Sequence, residues 1–256
     1  MSKKTLLLTG ATGFVGKELF KSINKDLFDL ILYKRDMILS DVGSVDYIIH
    51  LAGKAHDKNA TWDDFKKNNI DLTRKLIDFY KHDKKLKFIY FSSAKVYGEV
   101  SLNKFKETDM LNPTSDYGKS KKIAEEELIN SSLEYIVFRP TLIFSPHAKG
   151  NLESLRKISK IGFPLPSNIN NKRSLANLDF VVKATVLALE EKLPWNQVYN
   201  LCDMTLSTTE IFRLNGIKFL IPYPSFVMRI LPQKVKEKIL MNFELDNSKI
   251  LKLISP

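Results

Sequence analysis

The sequence has a single cysteine, Cys202, among its 256 residues. One cysteine cannot form a disulfide within the chain, and no group of Cys and His has the spacing of a zinc site, so a reducing compartment and no structural metal are expected. Long apolar runs are also missing, since no stretch of about 18 apolar residues could span a bilayer. The first apolar run ends at Thr9-Gly10, too early for a signal-peptide core. These absences predict a cytoplasmic protein without an integral membrane segment.

Acidic residues are fewer than basic ones, because 29 Asp and Glu against 40 Lys and Arg leave a net charge of +11. This surplus favours anionic partners such as phosphates, nucleic acid or acidic lipid, although a generally Lys-rich composition explains it equally well. No helix-turn-helix, zinc-finger or RNA-binding motif accompanies the charge, so nucleic acid is not an expected partner.

Short apolar runs alternate with segments of helical periodicity as far as Pro140. Runs that are apolar at successive positions are typical of strands buried on both faces of a parallel sheet. Alternating strands and helices predict an α/β fold, a Rossmann-like doubly wound parallel sheet. The predicted strands are Thr5–Thr9, Leu30–Tyr33, Tyr47–Leu51, Phe88–Ser92 and Tyr135–Arg139, and the predicted helices are Phe14–Asn24, Trp62–His82 and Tyr117–Asn130.

Beyond Pro140, prolines separate short helical stretches and one strand-like run, Val198–Leu201. No flexible linker sets this part apart, so we predict a dinucleotide-binding domain over residues 1–145 and a smaller C-terminal substrate lobe over 146–256, interleaved with it. The basic, amphipathic segment Phe226–Phe243 is interpreted as packing its apolar stripe on the protein, with a membrane surface as the alternative.

The turn from Gly10 to Gly16 follows the first strand directly and opens a helix. Gly10 allows a tight turn, Gly13 lets the backbone approach a diphosphate, and Gly16 lets the helix pack close to the strand. The N–H groups and positive dipole end of that helix would bind the phosphates of a dinucleotide. After the second strand, Lys34 and Arg35 lie where a 2′-phosphate would be met, which slightly favours NADP over NAD; a solvated basic turn is the alternative.

Tyr117 and Lys121 lie four residues apart, on one face of a predicted helix. A phenol has a pKa near 10, and an ammonium one turn away is expected to lower that pKa, so Tyr117 could exchange a proton with a carbinol or carbonyl. The predicted strand Phe88–Ser92 ends at two serines, Ser92 and Ser93, and can present a hydroxyl beside Tyr117 and Lys121. Together these groups indicate an oxidoreductase.

At these residues the chain resembles the extended short-chain dehydrogenase/reductases that modify nucleotide sugars, the NAD(P)-dependent epimerase/dehydratase family. The matching motifs, in chain order, are Thr9–Gly16, Ile49–Gly53, Asn69 ahead of Thr73, Ser92–Gly98, Tyr117 with Lys121, and Arg139-Pro140. The resemblance implies that Ser93 polarises the sugar oxygen, Tyr117 transfers the proton and Lys121 holds the nicotinamide ribose. It also implies that Asn69 supports the proton path. Residues expected to bind the cofactor are Gly10, Thr12, Gly13, Phe14, Val15, Gly16, Lys34, Arg35, Leu51, Ala52, Gly53, Tyr117, Lys121 and Pro140.

In the second lobe the chain is similar to the epimerase-like and 4-ketoreductase-like enzymes of bacterial O-antigen and capsule synthesis. This similarity implies that Arg173 binds the sugar-nucleotide diphosphate. The implied substrate-binding residues are Ser93, Lys95, Asn151 and Arg173. Dehydratases of the family carry an Asp-Glu pair where this chain has Ala94-Lys95, so a 4,6-dehydratase is not expected. The chain is also short between its first helix and His50, which predicts a trimmed second crossover.

The resemblance implies hydride transfer at C4 of a UDP-linked hexose or N-acetylaminohexose, by a 4-epimerase or a 4-keto-sugar reductase, for bacterial surface polysaccharide. A non-catalytic dinucleotide-binding sensor of the same fold is the alternative. The presence of Ser93, Tyr117 and Lys121 argues against that alternative. The family's dimers also make a homodimer through the helices at 62–82 and 117–130 an expectation.

Overall fold

The computed structural model describes residues 2–55, 59–145, 165–214, 216–217 and 220–254. Its main sheet has six parallel strands in the order β2-β1-β3-β4-β5-β9. These strands are β1 (Lys4–Thr9), β2 (Phe28–Leu32), β3 (Tyr47–His50), β4 (Lys87–Phe91), β5 (Glu134–Pro140) and β9 (Gln197–Leu201). The Rossmann-like parallel sheet is therefore confirmed, and the predicted strands lie within about two residues of the observed ones.

The α-helices of the described residues are α1 (Phe14–Ser22), α2 (Leu39–Val42), α3 (Trp62–Phe65), α4 (Leu72–Tyr80), α5 (Asp116–Ile129), α6 (Leu178–Leu189), α7 (Thr208–Leu214), α8 (Ser225–Ile230), α9 (Gln233–Ile239) and α10 (Ser248–Ile254). Six of them cover the two faces of the main sheet. Leu19, Val181 and Ile250 bring α1, α6 and α10 into the core on one face. On the other face, the core includes residues of α2, α4 and α5, such as Leu39 and Leu76.

The segment predicted as one helix over Trp62–His82 is interrupted by a π-helix, Lys66–Asp71. The Thr73 hydroxyl donates a 2.6 Å hydrogen bond to the main-chain oxygen of Asn69. Single π-helical turns inside α-helices often mark functional sites. Here the turn carries Asn69, one of the predicted site residues.

The connection between β2 and β3 contains one helix of four residues, α2. The trimmed crossover predicted from the short spacing is thus present, and β2 becomes the outermost strand on its side of the sheet. Because β2 and β3 pair with opposite sides of β1, the strand order reverses there. Ligands of open α/β sheets bind at the carboxyl ends of strands beside such a reversal.

The C-terminal part of the chain is divided between the main sheet and a smaller lobe. Strand β9 and helices α6 and α10 complete the main sheet and its core. The lobe contains a three-stranded sheet, β10-β8-β6, and a two-stranded sheet, β11-β7. Their strands are β6 (Leu142–Phe144), β7 (Leu165–Pro166), β8 (Arg173–Asn177), β10 (Met204–Leu206) and β11 (Leu220–Ile221). The boundary between residues 145 and 146 stays a prediction.

Helices α8 and α9 form the amphipathic segment and have no fully buried residue. Met228, Leu231 and Val235 are half-buried, so the apolar stripe packs on the protein in part. Phe226 and Ile230 are 66% and 76% exposed. Among the helices of the described residues, none is both long and apolar enough to cross a bilayer.

Candidate active site

The glycine turn after β1 leaves no room for side chains. Gly10 has φ +70°, and a Cβ there would lie 2.7 Å from the amide nitrogen of Ala52. A Cβ on Gly16 would lie 2.2 Å from the carbonyl oxygen of Gly10. These contacts bring the backbone after β1 against the loop after β3, at the reversal of the sheet.

The N-terminus of α1 is open to an anion. Its N-cap is Gly13, which provides no side-chain cap, and the first turn has no acidic residue. Thr12 is exposed, and Phe14 and Val15 are half-buried beside it. The unpaired N–H groups and the helix dipole suit a diphosphate. The residues therefore fit a dinucleotide cofactor, as the glycine spacing predicts, although the residue-by-residue contacts stay predictions.

A buried chain of hydrogen bonds ties this turn to the π-helix, and sequence reasoning did not identify it. His50 Nδ1 lies 2.7 Å from Thr9 Oγ1, and His50 Nε2 lies 2.9 Å from Thr73 Oγ1. Thr73 donates its proton to the oxygen of Asn69, so it accepts from Nε2–H, and Thr9 donates to Nδ1. Thr9 Oγ1 in turn accepts from the Ala52 amide at 3.0 Å. Burial, with a smaller effect of Lys121, lowers the pKa of His50 to about 3, so this imidazole is neutral.

Asn69 holds the loop that contains Leu51, Ala52 and Gly53. Its Oδ1 accepts from the Lys54 amide at 2.7 Å, and its Nδ2 donates to Ser120 Oγ at 2.8 Å. A Cβ on Gly53 would lie 2.8 Å from Asn69 Oδ1. In the described structure Asn69 thus joins this loop to α5, while its predicted support of a proton path stays a prediction.

Ser93 and Tyr117 meet where β4 ends and α5 begins. Ser93 caps a short 3₁₀-helix, Ala94–Val96, and its Oγ accepts from the Lys95 amide at 3.2 Å. Tyr117 lies in the first turn of α5, where Ser115 caps the helix. Desolvation raises the pKa of Tyr117, and a hydrogen bond with Ser93 partly opposes that effect. The structure thus brings these predicted residues together.

Lys121 is 4% exposed, one turn along α5 from Tyr117. Burial lowers the pKa of Lys121 to about 7, and Glu125 opposes that effect. The expectation that this ammonium lowers the pKa of Tyr117 is wrong. The pKa of Tyr117 is raised, because desolvation outweighs its hydrogen bond with Ser93.

The motif residues Tyr97 and Arg139 belong to a buried ion-pair network, not to the reacting groups. Arg139 pairs with Glu125, and their side chains are 4% and 0% exposed. Arg139 Nη1 donates to the Tyr97 hydroxyl at 2.6 Å, and Tyr97 donates to Asn200 Oδ1 at 2.8 Å. The network joins β5, α5 and β9 behind the site. Pro140, the last residue of β5, is buried, and its predicted cofactor contact stays a prediction.

The basic pair Lys34-Arg35 is exposed beyond the end of β2. Arg35 Nη2 donates to Asn68 Oδ1, on the π-helix, at 3.1 Å. The Lys34 amide donates to Met37 Sδ, and its carbonyl oxygen accepts from the Met37 amide. The pair therefore lies at the carboxyl end of the sheet, on the side of the trimmed crossover.

Arg173, at the start of β8, and Lys95, in the 3₁₀-helix after β4, lie near the ring of Phe243. The guanidinium carbon of Arg173 is 5.8 Å from the ring centroid, and Lys95 Nζ is 5.1 Å from it. Burial lowers the pKa of both cations, and Glu99, which pairs with Lys95, opposes this effect. Arg173 also donates to the main-chain oxygens of residues 237 and 241. Asn151 lies outside the described residues.

Fold and site together define a dinucleotide-binding α/β protein with a serine, a tyrosine and a lysine at the carboxyl end of its sheet. A model of the NAD dependent epimerase/dehydratase family matches residues 6–202, and the chain belongs to that family. A Vibrio cholerae protein named UDP-glucose 4-epimerase is 33% identical over 247 residues, covering 82% of this chain and 74% of that protein.

Solved structures of similar fold span nearly the whole chain. UDP-glucuronic acid 4-epimerase from Bacillus cereus, in complex with NAD, has a TM-score of 0.75 at 22% identity and covers 98% of this chain and 92% of its own. dTDP-4-dehydrorhamnose reductase from Bacillus anthracis, in complex with NADP, has a TM-score of 0.77 at 16% identity and covers 99% and 94%. At these identities the likeness is one of fold.

Proposed function

We propose that this chain is an NAD(P)-dependent enzyme acting at C4 of a UDP-linked hexose or N-acetylaminohexose, as a 4-epimerase or a 4-keto-sugar reductase. The observation that carries the proposal is the hydrogen bond between Ser93 and Tyr117, one helical turn from the buried amine of Lys121. These groups lie at the carboxyl end of the same sheet that presents the glycine turn. Groups that can exchange a proton, placed near a glycine turn that suits a dinucleotide, can interconvert a carbinol and a carbonyl.

In the proposed mechanism, the glycine turn and the loop 51–53 would hold an NAD(P) cofactor, which would supply hydride-transfer chemistry. Ser93 donates a hydrogen bond to the oxygen at C4 of the sugar. Tyr117 gives a proton to that oxygen or removes one from it. Its raised pKa keeps the phenol protonated at neutral pH, so it is ready to act as the acid. For Tyr117 to act as the base, protonated Lys121 must stabilise the phenolate.

The epimerase and the reductase use the same residues. Similarity to the Vibrio cholerae protein named UDP-glucose 4-epimerase supports the epimerase. The position of Arg35 and Lys34 at the sheet edge supports NADP, and with it a reductase that uses exchangeable NADPH. Purified protein should be assayed with UDP-glucose, UDP-N-acetylglucosamine and a UDP-4-keto-6-deoxy sugar, with and without NADPH. Turnover without added cofactor would exclude the simple reductase.

Replacing Tyr117 by Phe tests the assigned chemistry. Tyr117→Phe removes the proton donor and keeps the ring, so we expect kcat to fall by about 10² to 10⁴-fold with little change in NAD(P) affinity. Tyr135→Phe, on β5, is the matched control and should keep full activity. An unchanged rate in Tyr117→Phe refutes the acid–base role. NAD(P) binding without turnover of any sugar would instead support the non-catalytic sensor.

Three further features belong to this proposal. A homodimer would form through α4 and α5, whose outer surfaces meet at a groove lined by Arg74, Asp78 and Glu126. The products would serve bacterial surface polysaccharide, as the resemblance of the second lobe implies. The cytoplasm is the proposed compartment.

A further inference from the structure

We propose that Tyr90 is a positioning residue for Lys121. The face of the Tyr90 ring holds the Lys121 amine in place and favours its ammonium form. The proposal rests on the proposed function in treating Lys121 as part of the catalytic machinery. Tyr90 lies on β4, three residues before Ser93, and is not among the residues predicted to form the site.

The geometry is that of a buried cation–π contact. Lys121 Nζ lies 4.4 Å from the centroid of the Tyr90 ring. Tyr90 is fully buried and Lys121 is 4% exposed. Such contacts are strongest where water is excluded. The Tyr90 hydroxyl has Thr73 as a neighbour, whereas the contact with the Lys121 amine is made by the face of the ring.

The groups around Lys121 leave few other stabilisers for a positive charge. On its own helix, Glu125 favours the ammonium, but that carboxylate is paired with Arg139. From β3, His50 is neutral, and its pKa is itself lowered by Lys121. Tyr117 is a protonated phenol, and the π-helix presents the uncharged Asn69. Against the desolvation of a buried amine, the Tyr90 ring is thus a major compensating contact.

The test measures the titration of Lys121 directly. Protein without cofactor, labelled with ¹³C at lysine Cε, is titrated by NMR, and Lys121→Arg assigns the resonance. The wild-type midpoint is expected near a pH of about 7. In Tyr90→Leu the ammonium loses the ring and stays desolvated, so the midpoint should fall by about one pH unit. Tyr90→Phe keeps the ring face and should titrate like the wild type.

Phe88→Leu is the matched control, because Phe88 lies two residues away on the same face of β4, is equally buried and belongs to the same core cluster. It should lose comparable stability without moving the Lys121 midpoint. Tyr90→Met, which fills more of the site without a ring, replaces Tyr90→Leu if that variant does not fold. A midpoint in Tyr90→Leu or Tyr90→Met equal to that of Phe88→Leu overturns the proposal, as does an equal fall in Tyr90→Phe.

The same variants separate this proposal from the proposed function. In the active enzyme, the kcat–pH profile of Tyr90→Leu should shift in the direction of the NMR midpoint, and that of Phe88→Leu should not. If no sugar nucleotide is turned over, the enzymatic assignment fails, while the NMR titration still decides whether Tyr90 holds Lys121. A shifted NMR midpoint with an unshifted kcat profile would show that Tyr90 does not act on catalysis.

Discussion

His50 and Lys121 are two buried nitrogen bases in one site, and they differ in their pKa values and in their hydrogen-bond partners. His50 is neutral and has a hydroxyl at each ring nitrogen. Lys121 has a pKa of about 7 and so can change charge near neutral pH. A buried group whose pKa lies near the working pH is suited to acid–base chemistry, whereas a fully satisfied neutral imidazole is suited to holding backbone in place.

The lowered pKa of His50 predicts a loss of stability in acid. The unfolded chain protonates His50 below its ordinary pKa of 6.5, while the folded protein resists protonation down to about 3. The unfolded state therefore binds more protons, and stability falls as the pH drops through this window. Between pH 6.5 and about pH 4.5, this one group should remove about 2 kcal/mol from the free energy of unfolding.

Urea unfolding of wild type and His50→Gln at both pH values measures this contribution. The variant should lose less stability on acidification than the wild type. His82→Gln, at an exposed histidine, is the control and should keep the wild-type loss. Equal acid losses in wild type and His50→Gln would contradict the neutral, buried state assigned to His50.

At the scale of elements, the glycine turn and the loop after β3 act as one unit. Gly10 and Gly43 both have positive φ, +70° and +73°, but only Gly10 is crowded by a neighbouring backbone. Gly43→Ala should therefore cost only the backbone strain of φ +73° with ψ −157°, a conformation nearly confined to glycine, which is about 2 kcal/mol. Gly10→Ala adds a clash with the Ala52 amide nitrogen to its backbone strain and should cost about 2 kcal/mol more than Gly43→Ala.

Urea unfolding compares the two alanine variants, and NAD(P) titration reads the site. Only Gly10→Ala should weaken cofactor binding, because only that turn adjoins α1. A similar loss of stability in both variants would show that the contact between the turn and the loop does not constrain the fold.

Local patterns predicted the six strands of the main sheet, the helices α1, α4 and α5 and the pair Tyr117 and Lys121, because alternation of apolar runs and a spacing of four residues are properties of short segments. The π-helix was not predicted. Its residue Asn69 has two hydrogen-bond partners, Lys54 and Ser120, and both come from other parts of the chain. The direction of the Tyr117 pKa was also wrong, because helical spacing shows which groups are neighbours and not how far water is excluded from them.

At the scale of the whole molecule, the chain after residue 145 returns to the main sheet and completes it. Strand β9 pairs with β5 along five residues, from Ile136 opposite Gln197 to Pro140 opposite Leu201. Helices α6 and α10 cover the sheet face shared with α1. The Arg139 network also reaches β9 through Asn200. The packing of residues 1–145 therefore includes contacts with residues distant in sequence.

A chain truncated to residues 1–145 should consequently fail to fold by itself. It would expose one face of the sheet, leave β5 as an open edge and remove Asn200 from Tyr97, and exposed apolar faces and open edges favour aggregation. Circular dichroism and size-exclusion chromatography should show an aggregated or unfolded fragment without NAD(P) binding. Co-expression with residues 146–256 is the control and should restore a soluble complex that binds the cofactor. If the fragment 1–145 unfolds cooperatively and binds NAD(P) alone, the two parts are independent domains, and the interleaved description of this chain is wrong.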